Sequence, residues 1–200
     1  MALPLIASSI RARLHRSWGA GALALYAALA CGSAGGPAAA ETQTLVARAD
    51  EVKAAYVYKF VDYIVWPASA FPAADSPLVI GVAGNDQVHA ELARLLVGRT
   101  AHGRPLTARK VVPGDPVEGV HLIFVGDAGL VRSPWFQRLR DRALLVVADA
   151  PSGLEAGAAL NFVQMDDRLR FEASLRAVER SGLKMSSRLL SLAQRVVPAP

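Results

Sequence analysis

Apolar residues in the segment 53–67 (KAAYVYKFVDYIVWP) recur at the spacing of an α-helix. One stripe, at spacings of three and four, is mainly aliphatic and comprises Val57, Phe60, Val61 and Ile64. A second stripe comprises Tyr56, Lys59, Tyr63 and Trp66. We therefore predict a helix that lies between two surfaces and ends at Pro67, because the residue before a proline is pushed out of the helical region. The second stripe is either an aromatic flank of the core or a face that contacts a ligand or a partner.

Three later segments are short and continuously apolar, which is typical of strands covered on both faces of a sheet. They are 78–83 (LVIGVA), 121–125 (HLIFV) and 143–148 (ALLVVA). Helices are predicted between them, at about 87–97 with a cap from Asn85 or Asp86, and near Ser133-Pro134. A further strand is expected within 100–112, after a turn at Gly103-Arg104-Pro105. Strands that alternate with helices favour a largely parallel sheet with right-handed crossovers.

The last part of the chain has a different pattern. Segments 158–164 and 168–172 flank the turn cluster Met165-Asp166-Asp167 and predict a β-hairpin. Ser174 caps a predicted helix that runs to about Arg180. A final helix is predicted over about 186–196, with an apolar face made by Leu189, Leu190, Leu192, Ala193 and Val196. The sequence thus predicts a single-domain α/β fold: a largely parallel central sheet with flanking helices, a C-terminal β-hairpin and two C-terminal helices.

Residues 1–40 have the three parts of a secretory signal peptide: a basic stretch, an apolar run over about 18–34, and the small-residue site Ala38-Ala39-Ala40. We predict cleavage after Ala40, which leaves residues 41–200 as one domain in the periplasm. An uncleaved membrane anchor is the alternative, although the apolar run is shorter than the ~20 residues that a span needs. Cys31 is the one cysteine and leaves with the leader, so the mature chain is expected to have no disulfide and no thiolate.

Charge and residue types exclude several classes of function. The leader contains three arginines and no acidic residue, so its removal lowers the net charge from +5 to +2. A nearly neutral exported chain is not expected to bind nucleic acid. The mature histidines, His89, His102 and His121, have no metal-ligand spacing and are more typical of surface or hydrogen-bonded residues.

The sequence offers no evident set of catalytic residues. No serine has an evident base partner, and the neighbouring Asp166 and Asp167 are typical of a solvated turn. Glycine turns at 81–84 and 126–129 follow predicted strands, and each is either a tight turn or an anion site at the carboxyl end of the sheet. We therefore predict no catalytic residue, no metal and no cofactor.

Five blocks of the chain resemble the YfiR-like family of small periplasmic proteins. They are KAAYVYKFVDYIVWP, LVIGVAGND, HLIFVG, LNFVQMDDRLRFE and SGLKMSSRLLSLAQ, and together they span nearly all of residues 52–196. The chain departs from the family at Ala173-Ser174, where an Ile-Asn pair is usual, and in its lack of mature cysteines. The resemblance implies a regulator without catalysis that represses an inner-membrane diguanylate cyclase by binding its periplasmic portion, which limits cyclic-di-GMP and biofilm formation.

Candidate contact residues come from the aromatic stripe of the first helix, the polar side of the hairpin and the start of the final helix. They are Tyr56, Lys59, Tyr63, Trp66, Arg168, Arg170, Glu172, Lys184 and Arg188. The alternative function is a periplasmic sensor that binds a small ligand at the strand ends and acts on another membrane signalling protein. A homodimer is a further assembly that the aromatic helix face allows.

Overall fold

The computed structural model describes the backbone of residues 37–166 and 168–199, with side chains from Leu45 onward. Residues 1–36, which hold most of the predicted leader, lie outside the described residues, as does Asp167 of the predicted turn cluster. The predicted cleavage position after Ala40 falls in the first turns of a helix that begins at Pro37. The signal peptide therefore stays a prediction.

The described residues form seven α-helices and ten strands. The helices are α1 Pro37–Phe60, α2 Asp86–Leu95, α3 Ala128–Val131, α4 Pro134–Gln137, α5 Gly153–Ala156, α6 Leu175–Arg180 and α7 Ser187–Leu192. The strands are β1 Ile64–Val65, β2 Leu78–Ala83, β3 Thr100–Ala101, β4 Arg104–Lys110, β5 Leu122–Val125, β6 Leu145–Ala148, β7 Leu160–Met165, β8 Arg168–Ser174, β9 Lys184–Met185 and β10 Arg195–Val197.

Eight strands form one sheet in the order β10-β8-β7-β6-β5-β2-β4-β3. The five strands from β7 to β4 in that order are parallel to one another. The hairpin partner β8 is antiparallel to β7, and the last strand, β10, is parallel to β8. The predicted α/β fold with a largely parallel sheet and a C-terminal hairpin is confirmed. Two further strands, β1 and β9, form a separate antiparallel ribbon.

Side chains on the two faces of the sheet enter two separate hydrophobic clusters. One cluster contains Val57 and Phe60 of α1, with Phe124, Phe162 and Phe171 of the sheet. The phenylalanine rings pack closely: Phe60 and Phe162 are stacked with centroids 5.8 Å apart, and Phe60 and Phe171 meet edge to face at 5.1 Å. The other cluster lies beneath α3 and α4. The central strands are thus buried on both faces, as their continuous apolar runs predict.

The first helix ends at Phe60, seven residues before the predicted end at Pro67. A 3₁₀ turn follows at Val61–Tyr63, and Ile64 then pairs with Met185 in the antiparallel ribbon. The β-branched residues at this point suit a strand better than a helix, and the long-range pairing satisfies their backbone groups. The aliphatic stripe remains buried as predicted, but Trp66 does not continue a helical stripe with Tyr56.

The predicted final helix over 186–196 is also corrected. It ends at Leu192, and the chain then becomes extended so that Gln194 donates its N–H to the Phe171 carbonyl across 2.8 Å. Strand β10 follows and pairs with β8. Leu192 and Val196 are 60% and 38% exposed, so they do not belong to a buried helical face. The sequence Arg-Val-Val favours a strand once a neighbouring edge is available.

The predicted strand within 100–112 is a hairpin of β3 and β4 whose turn comes earlier than expected. The two turn residues are His102 and Gly103, with φ of 51° and 75°. Positive φ at both central positions is the geometry of a type I′ turn, whose twist matches that of the flanking strands. Arg104 and Pro105 therefore belong to β4 rather than to the turn.

Candidate partner-binding surface

The β1–β9 ribbon joins the first and last sequence blocks of the domain. Val65 lies opposite Lys184, and Ser186 donates its backbone N–H to the Tyr63 carbonyl across 2.9 Å. Because side chains alternate along a strand, Ile64 and Val65 point to opposite faces of the ribbon. Ile64 is fully buried, whereas Val65 is 57% exposed and Lys184 is exposed. The ribbon therefore has one core face and one solvent face.

Two further residues flank the strands of the ribbon, one before β1 and one after β9. Tyr63, in the 3₁₀ turn just before β1, is half-buried and packs partly against the core. Arg188 is exposed in the first turn of α7, where its backbone N–H donates to Ser186 Oγ. Within the described residues, neither Lys184 nor Arg188 forms an ion pair. We call the set Tyr63, Val65, Lys184 and Arg188 the ribbon surface. It presents one aromatic ring, one exposed aliphatic group and two cationic side chains.

Other residues of the predicted second stripe have different surroundings. Tyr56 is half-buried and packs edge to face on Phe162, with ring centroids 5.9 Å apart, so it is an aromatic flank of the core. Lys59 is exposed, with its Nζ 3.8 Å from Asp62. Trp66 is 7% exposed and donates its indole N–H to the His121 carbonyl across 2.9 Å. Of the four stripe residues, only Tyr63 belongs to the ribbon surface.

The polar side of the β7–β8 hairpin lies at the other end of the sheet. Arg168 is opposite Met165, the last residue of β7, whereas Trp66 contacts the residue that precedes β5. Since β5 and β7 run in the same direction, Arg168 and the ribbon are at opposite strand ends. Arg168 and Arg170 are exposed, but Glu172 accepts two hydrogen bonds from a residue of β10. The structure therefore does not bring these three residues together with Lys184 and Arg188.

The carboxyl ends of β2 and β5 form the point at which the order of strands reverses, where open α/β sheets usually bind ligands. Here the two loops pack against each other. A Cβ at Gly84 would lie 2.6 Å from the Asp127 Cβ, and one at Gly126 would lie 2.7 Å from the Asn85 Cβ. Asn85 and Asp127 accept hydrogen bonds from the first turns of α2 and α3. The tight-turn interpretation of both glycine turns agrees with this geometry, and the crevice is filled by the loops themselves.

A polar cluster that the sequence did not predict connects α1 to the carboxyl ends of the parallel strands. Lys53 Nζ lies 2.7 Å from Asp149, which follows β6, and 3.5 Å from Asp50. Asp50 also accepts a hydrogen bond from Asn85 Nδ2 at 3.1 Å. The spacing of three residues between Asp50 and Lys53 on a helix could have indicated their pairing from the sequence. Nothing in the sequence indicates the contact with Asp149. The cluster is a structural link between α1 and two strands.

His121 lies at the opposite, amino end of β5 beside a groove of about 260 Å³. Its Nδ1 accepts the Val79 N–H at 3.1 Å, and its Nε2 lies 3.1 Å from the Ala70 carbonyl. Because Nδ1 is an acceptor, this network assigns the proton of the neutral ring to Nε2. Burial is the largest influence on the pKa of His121 and lowers it; the Ala70 hydrogen bond raises this pKa by less, and the nearby Arg104 charge lowers it slightly further. The prediction of a hydrogen-bonded histidine agrees with these contacts.

Within the part of the chain that the structure describes, no group of three or more histidine, cysteine or carboxylate residues is placed to hold a metal ion. His102 contacts the carbonyl of Val61, in the 3₁₀ turn that follows α1, through Nε2 at 2.8 Å. Among the described helices, none combines the length and the apolar character that crossing a membrane requires.

Comparison with known families decides the assignment of the chain. The family model described as YfiR/HmsC-like matches residues 50–194. The protein belongs to the YfiR/HmsC-like family. The matched region of this family member contains the whole ribbon surface and the Lys53 cluster, and it ends one residue before β10. No curated protein sequence matches the chain significantly.

Proposed function

We propose that this YfiR/HmsC-like protein is a periplasmic regulator that binds the periplasmic portion of an inner-membrane diguanylate cyclase and represses it. Repression would limit cyclic-di-GMP and biofilm formation. Family membership supports the regulatory role. The main support for the proposed contact site is the pairing of β1 with β9, which places Val65 and Lys184 side by side with both side chains exposed to solvent.

The composition of the ribbon surface suits protein recognition. Tyr63 offers an aromatic ring whose backbone is already fixed by the hydrogen bond from Ser186, so little conformational entropy is lost on binding. Val65 adds apolar area, and the cationic Lys184 and Arg188 favour an acidic segment of the partner. Charges of this kind accelerate association and set orientation, whereas the aromatic and aliphatic groups supply most of the affinity.

Export is part of the proposal. A periplasmic location requires the predicted leader to direct secretion and to be cleaved after Ala40. Mass spectrometry of the protein recovered from periplasmic extracts is expected to give a chain that begins at Glu41. Recovery of the full-length chain from the membrane fraction would instead support the uncleaved anchor.

Co-purification from membranes that contain a candidate diguanylate cyclase tests the contact site. We expect Val65→Ser and Arg188→Glu each to reduce the recovered complex about tenfold, since loss of a central contact typically costs more than 1 kcal/mol. Val112→Ser is the matched control for the first variant, because Val112 is 53% exposed and lies elsewhere. Arg138→Glu, an exposed arginine just after α4, is the control for the second.

Cellular cyclic-di-GMP is the second measurement. The ribbon variants should raise its concentration relative to the wild type, while both controls should keep it low. Equal binding and equal cyclic-di-GMP in all four variants would remove the ribbon surface from the proposal. Loss of binding in a control variant would indicate that the assay responds to the net charge or the stability of the protein rather than to this surface.

A further inference from the structure

A single residue, His121, holds the irregular segment 67–77 at both of its ends and in its middle. Before the segment, the Trp66 indole donates to the His121 carbonyl at 2.9 Å. After it, the Val79 N–H donates to His121 Nδ1 at 3.1 Å. In the middle, His121 Nε2 donates to the Ala70 carbonyl at 3.1 Å, and the imidazole stacks on Phe71 with centroids 4.3 Å apart and planes 13° from parallel.

Arg104 completes the attachment from the other side of the Phe71 ring. Its guanidinium carbon lies 3.7 Å from the ring centroid, which is a close cation–π contact. Its Nη1 donates to the carbonyls of Ala73 and Ser76, both at 2.9 Å. Guanidinium, phenyl ring and imidazole thus form a three-layer stack. The segment is fixed to the sheet by these two side chains, one from β4 and one from the start of β5.

Protonation of the imidazole is incompatible with this arrangement. A proton on Nδ1 would face the Val79 N–H, so the hydrogen bond would be replaced by two opposed donors. The imidazolium would also be buried, and Arg104 would hold a second positive charge on the far side of Phe71. Burial and Arg104 both lower the pKa of His121, whereas the Ala70 carbonyl raises it.

The other charged groups around His121 do not compensate for a new positive charge. Glu118 and Arg142 line the adjoining groove and pair with each other at 2.7 Å. Asp75 is the acidic residue of the segment itself, and its side chain is exposed. Within the described residues, no carboxylate contacts the imidazole. Burial, the Val79 N–H and the Arg104 charge therefore favour the neutral ring, whereas the Ala70 carbonyl opposes them.

We propose that His121 is an acid-sensitive clamp: when its ring is protonated, the segment 67–77 is released from the sheet, and the groove beside it opens because Ala70 forms part of its wall. The segment follows directly after β1, so its release would also loosen one strand of the ribbon surface. That last consequence rests on the proposed function, whereas the clamp itself does not.

Hydrogen–deuterium exchange of the segment 67–77 tests the clamp without any partner. The measured exchange is first corrected for its intrinsic pH dependence. As the pH falls below the pKa of a free histidine, we then expect the protection of the wild-type segment to decrease about tenfold per pH unit, for as long as the folded His121 ring stays neutral. An NMR titration of the His121 ring in the same samples should show the imidazole still largely neutral over the range in which protection falls, and charged only at the lower pH where protection levels off. His89→Gln, on α2, should behave as the wild type does.

The variant His121→Gln removes the titrating group, and we expect the protection of its segment, after the same correction, no longer to depend on pH between about 5 and 8. If that variant does not fold, Phe71→Leu tests the same idea. It removes the stack, keeps the histidine, and should shift the loss of protection to higher pH. Protection that stays constant in the wild type, or a pH response that survives in His121→Gln, would overturn the proposal.

Discussion

The guanidinium of Arg195 donates two hydrogen bonds to the carboxylate of Glu172, from Nε to Oε1 at 2.7 Å and from Nη2 to Oε2 at 3.0 Å. This bidentate pair connects the last strand, β10, to its neighbour β8. Arg195 also contacts Glu155 of α5 at 3.3 Å, and both carboxylates raise its pKa. A fork of this kind fixes orientation as well as proximity. Glu172 is therefore occupied within the fold rather than free to meet a partner.

Removal of one charge from this pair should loosen the C-terminal strand. In Glu172→Gln we expect faster hydrogen exchange of the β10 amides, with little change in the rest of the sheet, because the contact holds an edge strand of three residues. Glu155→Gln removes the longer single contact and should have a smaller effect. The difference between the variants should shrink in high salt, which screens exposed pairs. Equal exchange in both variants would argue against the bidentate pair as the attachment of β10.

The packed loops at the carboxyl ends of β2 and β5 lead to a second prediction. Gly84 and Gly98 both have positive φ, of 74° and 67°, so alanine is strained at either position. Only at Gly84 would the added Cβ also clash, at 2.6 Å from the Asp127 Cβ; nothing lies within 4 Å at Gly98. We expect Gly98→Ala to lower the free energy of unfolding by about 1 kcal/mol and Gly84→Ala by about 3 kcal/mol. Urea unfolding measures both, and similar losses would refute the tight loop packing.

The parts of the fold that the sequence predicts are those with local signals. Continuous apolar runs mark β2, β5 and β6, and Asn85 and Ser174 cap helices as their positions suggest. The two-residue strands β1 and β9 have no periodicity of their own and exist because segments about 120 residues apart pair with each other. Three of the four residues of the ribbon surface, Tyr63, Lys184 and Arg188, were therefore candidates from the sequence, but Val65 was not.

The Lys53 cluster provides a third prediction with an internal control on the same helix. The Lys53 side chain is 17% exposed and pairs with two carboxylates, whereas Lys59 is 62% exposed and lies 3.8 Å from Asp62. Lys53→Met leaves Asp50 and Asp149 without their cationic partner, and we expect it to lower the free energy of unfolding by about 2 kcal/mol. Lys59→Met should change that free energy by no more than about 0.5 kcal/mol. Equal effects would show that the cluster does not stabilise α1.

The buried indole of Trp66 leads to a fourth prediction. Phenylalanine at this position keeps an aromatic ring but removes the donor to the His121 carbonyl, together with part of the buried apolar area. We expect Trp66→Phe to lower the free energy of unfolding by about 2 kcal/mol, about half of it from the hydrogen bond. Trp135 is equally buried, and no side-chain hydrogen bond connects it to another described residue. Trp135→Phe should therefore cost about 1 kcal/mol less in chemical unfolding followed by circular dichroism.

The low pKa of His121 predicts how the stability of the whole domain depends on pH. Burial is the largest cause of the shift, and it keeps the ring neutral in the folded state at pH values where a free histidine, with a pKa near 6.5, already binds a proton. The unfolded chain therefore binds more protons than the folded chain as the pH falls below about 6.5. The free energy of unfolding should then decrease with falling pH, by at most about 1.4 kcal/mol per pH unit from this group, until the folded-state pKa is reached.

Carboxylates also titrate in acid, so the contribution of His121 is best measured as a difference between variants. The gap in free energy of unfolding between the wild type and His121→Gln should be largest near pH 7.5 and should narrow towards pH 5.5, because only in the wild type does the unfolded chain gain a proton at residue 121. His89→Gln, with its half-buried side chain on α2, should follow the wild type across the same range. A gap that stays constant with pH would mean that His121 has the same pKa in the folded and unfolded chains, contrary to its burial between Val79, Ala70 and Phe71.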